Sequence, residues 1–247
     1  MLRLRMRPGC WAFASLSRRA GKPIWPQRRS TTNWCTSNRT PTESTRWAWW
    51  PGTETHCARS GAGSKQKTLP VISEKPVSAG VQDGFSFIGP EDWVFDIYTD
   101  LQASEAGPLS FGPDRYGHIN FHPRNVRAMM EFLARVLDFR LSDVIGDDFA
   151  YFMRCNPDHH GIALIQGKGT FHHHAWQTQS IADLGKLGDR LNRLGRELIW
   201  GPVRHGAGHN IAAYYVESSG AVVELYTDLE QIYDDARPPV KWGADDN

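Results

Sequence analysis

HINFHPRNVRAMMEFLARVLDF (118–139) can be laid on HHAWQTQSIADLGKLGDRLNRL (173–194) at an offset of 55 residues. Phe121 then meets Trp176, Val126 meets Ile181, Met129 meets Leu184, Phe132 meets Leu187 and Val136 meets Leu191. The match is one of pattern rather than identity, and a repeat of this kind must be read before any single element is assigned. Each copy opens with a short His-led strand and passes into an amphipathic helix. The apolar stripes are Val126, Met129, Phe132/Leu133, Val136 in the first and Ile181, Leu184, Leu187, Leu191, Leu194 in the second. Ser180 with Asp183 three residues on predicts the start of the second helix, and Gly195 its end. β-rich segments follow: 149–155 and 161–165 in the first copy, 197–201, 210–216 and 221–226 in the second. The unit is β-α-β-β-β, and the fold class expected is α+β, with paired modules forming a half-open barrel around a metal site.

A longer repeat reaches back from this domain. WVFDIYTDLQ (93–102) matches AVVELYTDLE (221–230) at an offset of 128, so Asp96 falls on Glu224. Residues 76–112 therefore read as the closing strands of an earlier, truncated module plus a linker, 113–232 as the catalytic domain and 233–247 as a carboxy-terminal tail.

Residues 1–75 are a different kind of sequence. Ten Arg and four Lys stand against three Glu there, a net +11, so the remainder carries −10 of the chain's formal +1. Six of the ten tryptophans lie in this stretch, yet its apolar residues follow no helical or strand period. Three readings compete: an Arg-rich, acid-free transit peptide, a basic nucleic-acid tail, and an out-of-frame replacement of a folded amino-terminal domain. The last accounts for what the repeats say is missing, and on it the stretch stays outside the catalytic fold.

The near-zero overall charge argues against a nucleic-acid or membrane-surface partner. The globular part has one cysteine, Cys155, and no apolar run near the ~18 residues a membrane helix needs. A cytoplasmic protein is expected.

Two His and one carboxylate on one face hold the metal of non-haem Fe(II) oxygenases and leave open positions for substrate and O2. His118 and His173 each open the first strand of a module, and Glu224 lies in the last strand of the second. In a paired-module half-barrel those strands are central and their inward faces converge; Val222 and Glu224 share one face, Val223 and Leu225 the other. His172 and His174 flank His173, and a one-residue slip would exchange the faces. His159 flanks His160 in the same way, while His122 and His209 read as structural or exposed.

GHINF (117–121), TFHHHAW (170–176), GPVRHG (201–206) and AAYYVESSGAVVELYTD (212–228), in that order and spacing, resemble the vicinal oxygen chelate extradiol dioxygenases. That is the family of catechol 2,3-dioxygenase and 2,3-dihydroxybiphenyl 1,2-dioxygenase. The resemblance covers about residues 85–242 and implies ring cleavage of a catechol-type diol with both atoms of O2. It also implies Fe(II), with Mn(II) as the alternative ion, on His118, His173 and Glu224, and a homo-oligomer. Catalytic roles carry over to His160, to His205 and to Tyr214. The run DHHGIAL (158–164) is similar to the biphenyl-diol branch and implies a bulky or aromatic 3-substituent; Gly161 stands where the catechol branch often has Asp, so a bond that would tune His160 is expected to be absent. The competing readings are an impaired relative acting as a scaffold or partner subunit, and a glyoxalase-like enzyme of the same superfamily.

Overall fold

The computed structural model describes residues 112–244 and, before them, 84–98, 67–74 and short strands within 2–18 and 47–57. The chain divides into two units, Met1–Ser104 and Glu105–Asn247.

The second unit runs β1 (Arg115–His122), α1 (Val126–Val136), β2 (Arg140–Ile145), β3 (Ala150–Arg154), β4 (Ile162–Ile165), β5 (Thr170–Gln177), α2 (Ile181–Arg193), β6 (Trp200–Arg204), β7 (Ile211–Val216), β8 (Val222–Thr227) and β9 (Val240–Trp242). They form one sheet in the order β6-β7-β8-β5-β1-β4-β3-β2-β9. The two His-led strands β1 and β5 pair antiparallel at its centre, and each carries the last strand of its own module as a parallel neighbour, β4 on β1 and β8 on β5. This is the paired-module α+β fold that the 55-residue repeat predicts. β2 had no signal in the sequence: Ser142 and Asp143 are both buried, and a bulge between Leu141 and Asp143 breaks the alternation that marks a strand.

Local signals place the helices. Asn125 caps α1 by accepting from Ala128 N at 3.0 Å, and Asp183 Oδ2 accepts from Ser180 N at 3.1 Å to start α2. Gly195 at φ +65 follows the end of α2, a conformation that favours glycine. From α2, Leu184, Leu187 and Leu191 pack on Ala213, Val223 and Leu225 of β7 and β8. The ends of the stripe do not take part, because Ile181 and Leu194 are 56% and 67% exposed. Leu184→Ala is therefore expected to cost about 2–5 kcal/mol in denaturant unfolding. Ile181→Ala should cost under about 0.5 kcal/mol, and equal losses would contradict this packing.

The opposite face of β8 turns to the other core, where Ala175, Ala212, Tyr214, Tyr226 and Leu229 cluster with Val222 packed against them, and Glu224 lies opposite Tyr214. Alternation along one strand thus sends Val223 and Leu225 to the helix and Glu224 to the site. Beyond residue 232, where a tail is expected, β9 adds to the sheet edge in parallel with β2.

In the first unit, strands Gly84–Ile88 and Trp93–Tyr98 pair antiparallel, with Phe87 stacked on Phe95 at 5.4 Å. Ser86 lies opposite Asp96, as Tyr214 lies opposite Glu224, so the 128-residue repeat preserves strand register. The Ser86 hydroxyl bonds the Asp96 carboxylate. Five further strands, Leu2–Arg7, Cys10–Ala14, Trp47–Ala48, Glu54–Cys57 and Lys67–Ser73, join this sheet, and Leu16–Arg18 pairs its Trp93–Tyr98 strand. The expectation that residues 1–75 stay outside the fold concerns a stretch most of which lies outside the described residues.

Candidate metal centre

β1, β5 and β8 are neighbours, so His118, His173 and Glu224 meet on one face although up to 106 residues separate them. All three are buried, at 2%, 4% and 1% exposure. His173 Nε2 lies 2.9 Å and His118 Nε2 3.1 Å from the same oxygen, Glu224 Oε2, and the two nitrogens are 3.4 Å apart. A first-row divalent ion holds His and carboxylate at about 2.0–2.2 Å, so adjacent octahedral ligands stand about 3 Å apart. The triangle has that size. Among the described residues it is the only group of His, Cys and carboxylate donors close enough to hold an ion.

The surrounding contacts orient these donors. Asn210 Nδ2 donates to Glu224 Oε1 at 3.0 Å, which leaves Oε2 for the ion. His172 Nδ1 and His173 Nδ1 are 2.7 Å apart, and a hydrogen bond there settles which His173 nitrogen is free. His172 itself stacks on His122 at 4.7 Å, while His174 accepts from Trp176 Nε1 at 2.7 Å. Tyr226 lies against His118, ring centres 5.3 Å apart. Gly117 permits that contact, since a Cβ there would stand 2.2 Å from Tyr226 Cε1.

The other three candidates border the triangle. The His160 ring lies 4.3 Å from that of His118, and Tyr214 meets His173 edge-on at 5.5 Å. His205 Nε2 and the Tyr214 hydroxyl are 2.7 Å apart. His160 has a hydrogen-bonding neighbour after all, because His159 Nδ1 stands 2.9 Å from His160 Nδ1. The partner comes from the residue before His160 rather than from position 161. Asn210 was not singled out in the sequence: it follows a glycine-rich turn, and its only signal was the strand start it shares with Ile211.

Burial and charge set the protonation. Desolvation pushes the Glu224 carboxyl up, but its close contacts with His118 and His173 outweigh it and hold the pKa well below the usual range. Burial lowers His173 and His205, and lowers His160 far more, while the Tyr214 phenol is raised by burial and by Glu224. Neutral imidazole is the form a metal binds.

A pH dependence follows for the metal-free protein. Each of these histidines binds its proton more weakly folded than unfolded, so near pH 6 the unfolded chain holds more protons and stability rises with pH. Stability is full above the unfolded His value of about 6.5 and falls as pH drops below it, by about 1.4 kcal/mol per pH unit for each proton taken up. Unfolding at pH 5.5 and 7.5 should show the acid sample less stable; equal stability would mean these imidazoles are not buried neutral.

Residues 115–225 match the Glyoxalase/Bleomycin resistance protein/Dioxygenase superfamily. That match takes in 111 of the chain's 247 residues. Among curated relatives, the metapyrocatechase of Pseudomonas sp. (strain CF600) is 28% identical over 179 residues, 65% of this chain and 58% of that protein. The 3-methylcatechol 2,3-dioxygenase of Pseudomonas putida is 32% identical over 133 residues, 49% of this chain and 45% of that protein. The chain thus spans about half the length of these relatives. Among solved structures, the Mn(II)-bound glyoxalase from Novosphingobium aromaticivorans has 31% identity and a TM-score of 0.66, over 71% of this chain and 60% of that one. The matched region is similar to these dioxygenases and contains a His-His-Glu group whose donor atoms converge as a metal site requires. No described helix is long and apolar enough to cross a membrane.

Proposed function

We propose that the chain is an Fe(II)-dependent extradiol dioxygenase that opens a catechol-type ring beside its two hydroxyls with O2. The observation that carries this reading is the buried His118–His173–Glu224 triangle with His160 against His118 and the His205–Tyr214 pair against His173. Similarity to a metapyrocatechase and a 3-methylcatechol 2,3-dioxygenase supports it. The triad would hold the ion, which when bound supplies a Lewis-acidic centre where diol and O2 meet and exchange electron density.

The chain's own groups handle the protons. His205, kept neutral by burial, accepts a proton from a diol hydroxyl, and Tyr214, kept protonated, donates a hydrogen bond to the oxygen that remains. His160, also neutral, is the base and then the acid beside His118. Glu224 is itself 1% exposed, and the buried Ala175 lies beside it on β5, so water is kept from the carboxylate.

The similarity to a Mn(II)-bound glyoxalase favours a second reading, a lyase acting on a thiol adduct at the same triad. The full chain, reconstituted without air with Fe(II) or Mn(II), should consume O2 mole for mole with catechol or a 3-substituted catechol and form a yellow ring-opened product. Conversion of a hemithioacetal with no O2 uptake would select the glyoxalase reading. A metal-loaded protein inert in both assays would select the scaffold.

A further inference from the structure

Behind His160 lies a row of buried polar groups for which the ring-cleavage reading has no use. His159 is fully buried and Asp143 is 1% exposed. His159 Nε2 lies 3.2 Å from Asp143 Oδ2 and 3.9 Å from Glu230 Oε2, while its Nδ1 meets His160 Nδ1 at 2.9 Å. Asp143 in turn accepts from Trp242 Nε1 at 2.6 Å and from Arg237 at 3.4 Å. Arg237 also bonds Glu230 and the Ser142 carbonyl. Gly208, at φ +80, packs so close that a Cβ would stand 2.9 Å from His159 Nδ1. Two members of the row, Arg237 and Trp242, come from beyond residue 232.

The proton order in this row is dictated by the carboxylates. A lone pair on His159 Nε2 would face the Asp143 carboxylate at 3.2 Å, with the Glu230 carboxylate beyond it at 3.9 Å, so a His159 ring with a single proton carries it on Nε2. Its Nδ1 is then an acceptor. At 2.9 Å the partner must donate, and His160 Nδ1 is the donor. A neutral His160 with its proton on Nδ1 has its lone pair on Nε2.

We propose that Asp143 and His159 are positioning residues that hold His160 as the tautomer protonated on Nδ1 and basic at Nε2, and that the carboxy-terminal segment holding Arg237 and Trp242 completes this relay. The consequence for ring cleavage rests on the function proposed above; the proton order does not. The Asp143 carboxyl suits the part: burial raises its pKa, but His159, Trp242 and Arg237 together hold it below the ordinary carboxylate value. The charge that orders the protons is therefore present throughout the neutral range.

The test is a nitrogen NMR spectrum of the metal-free full chain labelled with 15N-histidine, in which two-bond proton couplings show which ring nitrogen is protonated. His160→Gln identifies the His160 signals and His159→Gln those of His159. The expected spectrum has His160 protonated on Nδ1 and His159 on Nε2. In Asp143→Leu both rings should lose that single tautomer, and in the iron-loaded enzyme kcat should fall roughly 10- to 100-fold with KM and iron content unchanged. Trp242→Phe, which removes only a donated hydrogen bond, should move the same signals in the same direction and serves if Asp143→Leu does not fold. A wild-type His160 protonated on Nε2, or tautomers unmoved in the folded variants, overturns the proposal. If the tautomers are as stated but no diol is consumed, the relay stands and the ring-cleavage reading falls.

Discussion

Glu224→Ala is expected to abolish both metal retention and ring cleavage, with residual activity at least ~10³-fold below the parent, because the carboxylate is the one anion in the triangle. His118 and His173 both point at Glu224 Oε2, from 3.1 and 2.9 Å, so its removal leaves two imidazoles with no charge to balance a divalent ion. The loss should be visible without any substrate. A bound ion stabilises the fold by about 2.7 kcal/mol when present at a hundred times its Kd. The parent's melting temperature should therefore rise on adding Fe(II) or Mn(II), and that of Glu224→Ala should not. Asn210 donates to Glu224 Oε1 and would lose its partner, so Glu224→Gln is the gentler control: it keeps an acceptor for Asn210 but not the charge. Full activity or normal metal content in Glu224→Ala would remove the basis of the proposed function.

His160→Phe is expected to leave metal content and KM within a few-fold of the parent while lowering kcat by ~10² to 10⁴, the range that acid–base groups contribute. The ring lies against His118 but is not one of the three converging donors, so its part is in proton movement rather than in holding the ion. Phenylalanine preserves the flat ring packed on Phe152, whose centre is 5.1 Å from that of His160, and removes only the two nitrogens. Steady-state kinetics with elemental analysis of the same preparation separates the two functions. If iron content fell with the rate, His160 would be a ligand; if neither changed, it would have no role in the reaction.

Much of this protein is legible because strand and helix periods act locally. Which residues of α2 face inward is set by 3.6-residue spacing, and which residues of β8 face the site by two-residue spacing, so Leu184, Leu187, Leu191 and Glu224 could be assigned without coordinates. Repetition extended this to the architecture, since two copies of one module bury their faces only by pairing, and the first strand of each meets at the centre. His118 and His173 were found in that way, as equivalent positions of a repeat.

Tertiary structure alone decided the rest. β2 was hidden because a bulge and two buried polar residues erase its alternation, and β9 because three residues at a sheet edge have no period of their own. Asp143 and Trp242 are 99 residues apart and meet only because β9 lies beside β2. Asn210 reaches Glu224 only through the pairing of β7 with β8. Local spacing determines which way a side chain points, and it singled out His118, His173 and Glu224 as candidate ligands. Which partner a buried polar group finds depends on strand order in the sheet, and for His160, His159 and Asp143 that order places a carboxylate behind the site where residue 161 offers none.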